Sequence, residues 1–343
     1  MIRKSVLPAL ILYIYLFGTL LFFGCAKGPE PMVEIQVFAM DTYLRLVAPS
    51  LQDTQIKRIK EEVARLDRLF NRFSPGSDIS RVNEAAGQWM PVDRDTVTLL
   101  ERAKDLAVQT QGCYDPTIGP LVELWQIAPV ENNQEKNWEP PTAEALDATL
   151  PLIDYEALAI DPEGGQVRLA KPGMKLDVGG IAKGYAVDRL AELLQNWGIA
   201  GSLIDFGGDY YALGSHPEGR PWKLGIRHPR NPEQIIAYLS VENQAVTTSG
   251  DYQRYRIYQG RRFSHLLNPK TGYPGEELTS VTVVAPKGIT ADALSTAVFV
   301  MGKERGLELV ESWPGVETVI IDRDMKLWIS SGLKENVTFP VEN

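Results

Sequence analysis

The sequence predicts an α+β fold, with mixed or antiparallel sheets and packed helices, on three observations. Strand-like runs stand beside hairpin turns as often as beside helices, which argues against a doubly wound parallel sheet. Stretches with helical periodicity recur between them. Hydrophobic residues make up 44% of the 343, enough to bury a large core in one big domain or two closely packed lobes.

At the amino terminus, Arg3 and Lys4 precede an apolar run from Val6 to Phe23, followed by Gly24 and Cys25. A positive start, an apolar stretch and a small residue before a cysteine read as a signal peptide over 1–24. The Leu21–Cys25 segment resembles a lipobox, so Cys25 is expected to carry lipid. The mature chain would then be exported, anchored to a bacterial membrane and facing the periplasm, with the inner membrane favoured. An apolar run of this length could instead remain as a transmembrane anchor. With Cys25 lipidated, Cys113 is the one thiol left, so no internal disulfide is available. Residues 25–32 have the Pro/Gly composition of a short tether.

The first strand is expected over Glu34–Phe38. Ile56, Ile59, Val63, Leu66, Leu69 and Phe73 then follow helical spacing, with Ser50 and Asp53 as candidate caps and a break at Ser74–Ser77. A second helix spans Thr96–Thr110 and stops at Gly112, and a third runs from Gly180 to Trp197 and ends at Gly198. Residues 129–141, rich in Asn, Glu and Pro, read as a surface loop. Further strands are expected at Leu176–Val178, Ser202–Asp205, Trp222–Ile226, Tyr255–Tyr258, Thr279–Ala285 and Val316–Asp322. Within Thr279–Ala285 the polar and apolar residues alternate, as in a half-buried strand.

Composition narrows the function. A net charge of -9 without a basic stripe argues against nucleic acid as a partner. Three histidines are too few for a His-cluster metal site, and no G-x-S-x-G elbow marks a serine hydrolase. The segment Leu176 to Tyr185 runs through Gly179 and Gly180 into a helix. Such a junction offers free backbone N–H groups and a positive helix end to a phosphate, with Lys183 adding charge. Packing alone also explains a Gly-Gly turn. Asp292 and Thr296 are four apart on one helix face, and a carboxylate with a hydroxyl suits a hard cation such as Mg²⁺. Asp292 could equally serve the helix dipole, and Thr296 could back-bond the helix. A third cluster gathers Thr247–Tyr252, Arg254 and Phe263–Gly272. The segments Gly112–Leu121 and Asp205–Asp209 read singly as turns.

Taken in order, these segments closely resemble the signatures of the ApbE family of FAD:protein FMN transferases, from about Val33 to Ile329. The matching pieces are Met40–Tyr43, Phe73 with Ser77–Asn83, Tyr114–Leu121, Leu176–Asp188, Phe206–Gly208, Thr248–Tyr252, His265–Gly272 and Ala291–Thr296. The resemblance implies an ApbE-like, T-fold-related architecture over 33–335. It implies that Asp292, Thr296 and the Gly180 carbonyl bind Mg²⁺. It places Met40, Phe73, Cys113, Tyr114, Asp115, Asp177, Lys183, His265 and Leu266 against FAD as substrate. Phe73 stands where the family often has tyrosine, which keeps a stacking face and loses a hydroxyl. Asp41 stands where the family more often has glycine. The implied reaction moves FMN from FAD to a Ser or Thr hydroxyl of a partner protein, such as a subunit of a membrane redox pump, with AMP leaving. His265 is the candidate proton acceptor and Asp251 its rival. An FAD pyrophosphatase and a non-catalytic FAD-binding lipoprotein are the competing readings.

Overall fold

The computed structural model describes residues 32–127 and 138–340. The signal peptide with Cys25, most of the tether and most of the 129–141 loop lie outside the described residues. One eight-stranded sheet runs through the molecule: Met32–Ala39 (β1), Thr42–Pro49 (β2), Ser202–Phe206 (β3), Asp209–Leu213 (β4), Gln244–Gly250 (β5), Leu278–Ala285 (β6), Glu317–Asp322 (β7) and Leu327–Ile329 (β8). Its spatial order is its chain order, and every neighbouring pair is antiparallel. The sheet is therefore a meander into which the remaining elements are inserted, and the α+β prediction holds. The described α-helices are Asp53–Phe70 (α1), Asp78–Glu84 (α2), Arg94–Gln109 (α3), Gly119–Trp125 (α4), Ala143–Thr149 (α5), Ala182–Asn196 (α6), Gly288–Met301 (α7) and Lys303–Glu311 (α8).

Both faces of this sheet are covered. On one, Ile204, Phe206, Val281 and Val283 join Ile59, Val63 and Leu66 of α1, Val187 and Leu190 of α6 and Leu294 of α7 in the main core. On the other, Val246, Val284, Val319 and Ile321 meet Trp222, Leu224, Leu239 and Val337. Those last four come from an outer three-stranded sheet built by Trp222–His228, Asn231–Val241 and Val337–Thr338. Each fully buried aliphatic side chain stabilises by roughly 1.5–3 kcal/mol. This double cover corrects the half-buried reading of the Thr279–Ala285 run, because every residue of β6 is buried. Two of its polar residues find partners inside: Thr282 bonds Thr248 at 2.8 Å, and Thr279 donates to the Asp322 carbonyl.

Three other expectations are corrected. Leu176–Val178 is not a sheet strand. Its backbone is held by loops instead: Asn83 bonds both the N–H and the carbonyl of Leu176, and the Asp177 N–H donates to the Pro116 carbonyl. The cap of α1 is neither Ser50 nor Asp53. Gln52 takes that place in a reciprocal capping box with Gln55, and Asp53 sits in the first turn. Phe73 lies beyond the end of α1 at Phe70, so its ring leaves the core stripe and is 72% exposed.

Candidate functional site

The starts of α6 and α7 cross at two glycines. A Cβ on Gly184 would stand 2.3 Å from the Gly288 carbonyl oxygen, and one on Gly288 would stand 2.5 Å from that of Gly184. Only a residue without a side chain allows that approach. Each helix start is then closed by a carboxylate of the other helix. Asp292 of α7 accepts from the Gly184 N–H at 3.0 Å, while Asp188 of α6 accepts from the Gly288 and Ile289 N–H groups at 2.7 and 3.0 Å. First-turn N–H groups have no partner within their own helix, and a negative charge is favoured beside them. Burial nonetheless pushes the Asp188 carboxyl up to about 6, its two N–H donors offsetting only part of the cost.

This crossing fixes the distance between the glycine turn and Asp292 with Thr296. The Thr296 Oγ1 lies 3.3 Å from where a Cβ on Gly180 would be, with the Tyr114 ring 3.6 Å from the same point. Ser249, near the end of β5, completes a hydroxyl cluster with Ser295 at 2.7 Å and Thr296 at 3.4 Å. Lys183 pairs with Asp209 at 2.5 Å where β4 begins. Burial would lower the Lys183 pKa, but the Asp209 and Asp292 carboxylates outweigh it and hold the ammonium above its usual range. Asp292 is pushed up as well, to about 7, by burial and by Asp209. Two buried carboxylates thus face one ammonium. A proton on Asp292 or a bound cation would relieve the imbalance, and a carboxylate, a hydroxyl and the Gly180 carbonyl are oxygen donors of the hard type that suits Mg²⁺. Buried Tyr114 points an unpartnered hydroxyl into the same region. Among the described residues no group of three His, Cys, Asp or Glu side chains could hold a metal, so any cation here depends on mixed donors.

The other predicted residues surround this centre. Asp177 accepts from the Gly179 N–H at 2.8 Å and from Arg72 at 2.9 Å, so its carboxylate shapes the glycine turn. Met40 and Asp41 form the two-residue β1–β2 hairpin turn, with φ of 49 and 57 degrees. That left-handed pair is the turn for which glycine or asparagine is preferred, and Asp41 adopts it here. The Met40 N–H is tied to Asp67. Leu266 is buried in the main core. His265, half-buried, places its Nδ1 3.1 Å from the Arg254 carbonyl, which can only accept. The neutral ring therefore carries its proton on Nδ1 and its lone pair on Nε2. Burial, Arg254 and Lys183 push its pKa down to about 4.

Three further candidates are also tied into the scaffold. Cys113 is buried in the core. Asp115 accepts from the N–H and hydroxyl of Thr117 and from the Tyr155 N–H, and is the hub of a turn. Asp251, the rival base, is held by Arg230 through two bonds of 2.6 and 2.7 Å. Sequence reasoning missed Asp188, Asp209 and Arg72 as site-forming groups. Asp209 closes the Gly207-Gly208 turn and Asp188 ends the Leu176–Asp188 segment, and those positions were the available signals; Arg72 gave none, because its partner lies 105 residues away.

Comparisons with known proteins identify the relatives of this chain. The model of the ApbE family matches residues 33–320. The FAD:protein FMN transferase of Escherichia coli strain K12 is 30% identical over 339 residues, covering 93% of this chain and 95% of that protein. The crystal structure of the ApbE protein from Thermotoga maritima superposes with a TM-score of 0.80 at 33% identity, covering 89% of this chain and 99% of that one. The flavin transferase ApbE from Vibrio cholerae follows at 0.79 and 28%, covering 90% and 100%.

Proposed function

The chain belongs to the ApbE family, and on that premise we propose that it transfers FMN from FAD to a Ser or Thr hydroxyl of a partner protein, with Mg²⁺ bound and AMP released. The observation that carries the reading is the convergence of Gly180, Asp292 and Thr296 on a centre that holds two buried carboxylates and a single lysine. Gly180, Asp292 and Thr296 would hold the ion. Bound there, it would supply charge neutralisation at the diphosphate, which dominates such chemistry. FAD lies with its diphosphate on the Gly179-Gly180 turn beside Lys183, and its remaining parts reach Met40, Phe73, Cys113–Asp115, Asp177, His265 and Leu266.

The acceptor hydroxyl attacks the phosphorus of the FMN half. The bond from that phosphorus to the bridging oxygen breaks, and the oxygen leaves with AMP. His265 Nε2 takes the hydroxyl proton, since the ring is neutral with its lone pair there. Asp251 is poorly placed for that task, because its oxygens are engaged by Arg230. Residues 33–335 form the transferase unit in this reading. Export and lipid attachment at Cys25 are inferred from the sequence alone; no described helix is long and apolar enough to cross a membrane.

The test supplies FAD, Mg²⁺ and a candidate acceptor domain and counts AMP against flavin bound to protein. Equal amounts are expected. AMP without labelled protein would instead indicate a pyrophosphatase, and intact FAD throughout a binding protein.

A further inference from the structure

Four arginines from two distant parts of the chain meet beside the site. Arg230 holds Asp251 through two bonds, and Arg262 approaches the same carboxylate at 3.7 Å. Arg227 precedes Arg230 on the edge of the outer sheet, near enough to Tyr252 for its charge to act on that hydroxyl. Arg254 lies exposed in the turn whose carbonyl fixes His265, and its charge acts on both His265 and Lys183. Arg262 also covers the Tyr255 ring at 4.1 Å. The one carboxylate among them, Asp251, is already saturated by Arg230, so the patch is strongly cationic in a chain of net charge -9. The other nearby cations are spent: Arg261 pairs with Glu276, and Lys223 covers the Tyr238 ring.

Arg227 and Arg254 are exposed and pair with no carboxylate among the described residues, so packing does not account for them. Asp251 directly follows Gly250 of β5, two residues from Ser249, and Arg254 adjoins His265. Any protein that delivers a hydroxyl to His265 must lay its flanking residues across this ground. We propose that Arg227, Arg254 and Arg262, ranged around the Arg230–Asp251 pair, form the docking surface for the acceptor protein and recognise carboxylate side chains flanking its target hydroxyl. The proposal rests on the transferase reading for the identity of the partner. Charges at such a rim raise association rates and select partners, and guanidinium forks suit carboxylates.

The probe is a pair of fluorescent peptides with a central Ser, one flanked by Glu and Asp and the other by Gln and Asn, titrated against the full chain loaded with FAD and Mg²⁺. The acidic peptide should bind about tenfold or more tightly, weaken with salt, and lose that preference in Arg227→Glu/Arg262→Glu. FAD affinity of the double variant, read by flavin fluorescence, should not change. Equal binding of the two peptides overturns the proposal. So does a loss of FAD affinity, which would give the arginines to the diphosphate. Arginine-dependent binding to phosphatidylglycerol vesicles without peptide preference would assign the patch to lipid and overturn it as well. If the acidic peptide binds as expected and no acceptor is ever flavinylated, the transferase reading fails and the docking chemistry stands.

Discussion

Asp292 is buried, close to a second carboxylate, and raised above the normal range by both facts. A group in that state suits a cation and penalises the fold without one. Asp292→Asn should therefore leave the metal-free protein at least as stable as the parent, while Mg²⁺ raises the melting temperature of the parent only. Transfer should fall by roughly a hundredfold or more, the usual cost of removing one contact that neutralises charge in the transition state. Calorimetry with and without Mg²⁺ checks the first part and AMP release the second; unchanged turnover would remove Asp292 from the site.

His265 provides a pH signature. Its folded pKa of about 4 lies below the ordinary 6.5, so between those values the unfolded chain binds more protons than the folded one. The contribution of the ring to stability is complete above pH 6.5 and declines as pH drops towards 4. His265→Asn should flatten that part of the stability profile, measured as urea midpoints from pH 7 to 4. Profiles of equal slope would refute the depressed pKa. Loss of flavin transfer in the same variant, with FAD still bound, is the companion expectation.

At the level of elements, the α6–α7 crossing sets the geometry on which those residues depend. Gly288→Ala forces a methyl into the Gly184 backbone and should destabilise by about 1–3 kcal/mol or prevent folding. Asp188→Ala strands two buried N–H groups at the start of α7, at about 1–3 kcal/mol each, whereas Asp188→Asn keeps one acceptor and should cost less. Urea denaturation ranks the three. If Asp188→Ala proves as stable as the parent, the helix-to-helix closure has no energetic weight. Helix α1 was legible because Ile59, Val63 and Leu66 recur at helical spacing. The packing of β6 was not, since alternation along Thr279–Ala285 cannot reveal that a second sheet covers its polar face. Nor could a short run such as Leu176–Val178 show whether its partners are strands or the Asn83 side chain.

Across the whole molecule, the site is assembled from segments far apart in sequence. The glycine turn, Asp292 and Thr296 were readable as chemistry-bearing motifs, and their resemblance to one family gave them roles. Asp188, Arg72 and the arginine patch were not, because their meaning arises only where the folded chain sets Asp188 on Gly288, Arg72 on Asp177 and Arg262 on Asp251. An acidic net charge likewise hides a local cationic surface, since composition averages over both.

The central claim is that one divalent ion, gripped by oxygens from α7 and from the glycine turn before α6, binds the FAD diphosphate. Crystals grown with FAD and Mn²⁺ in place of Mg²⁺, measured at the manganese absorption edge, test it directly. The anomalous peak should fall about 2.2 Å from oxygens of Asp292, Thr296 and Gly180 and touch the diphosphate. A peak elsewhere, or FAD seated with its diphosphate away from Gly180, would contradict it.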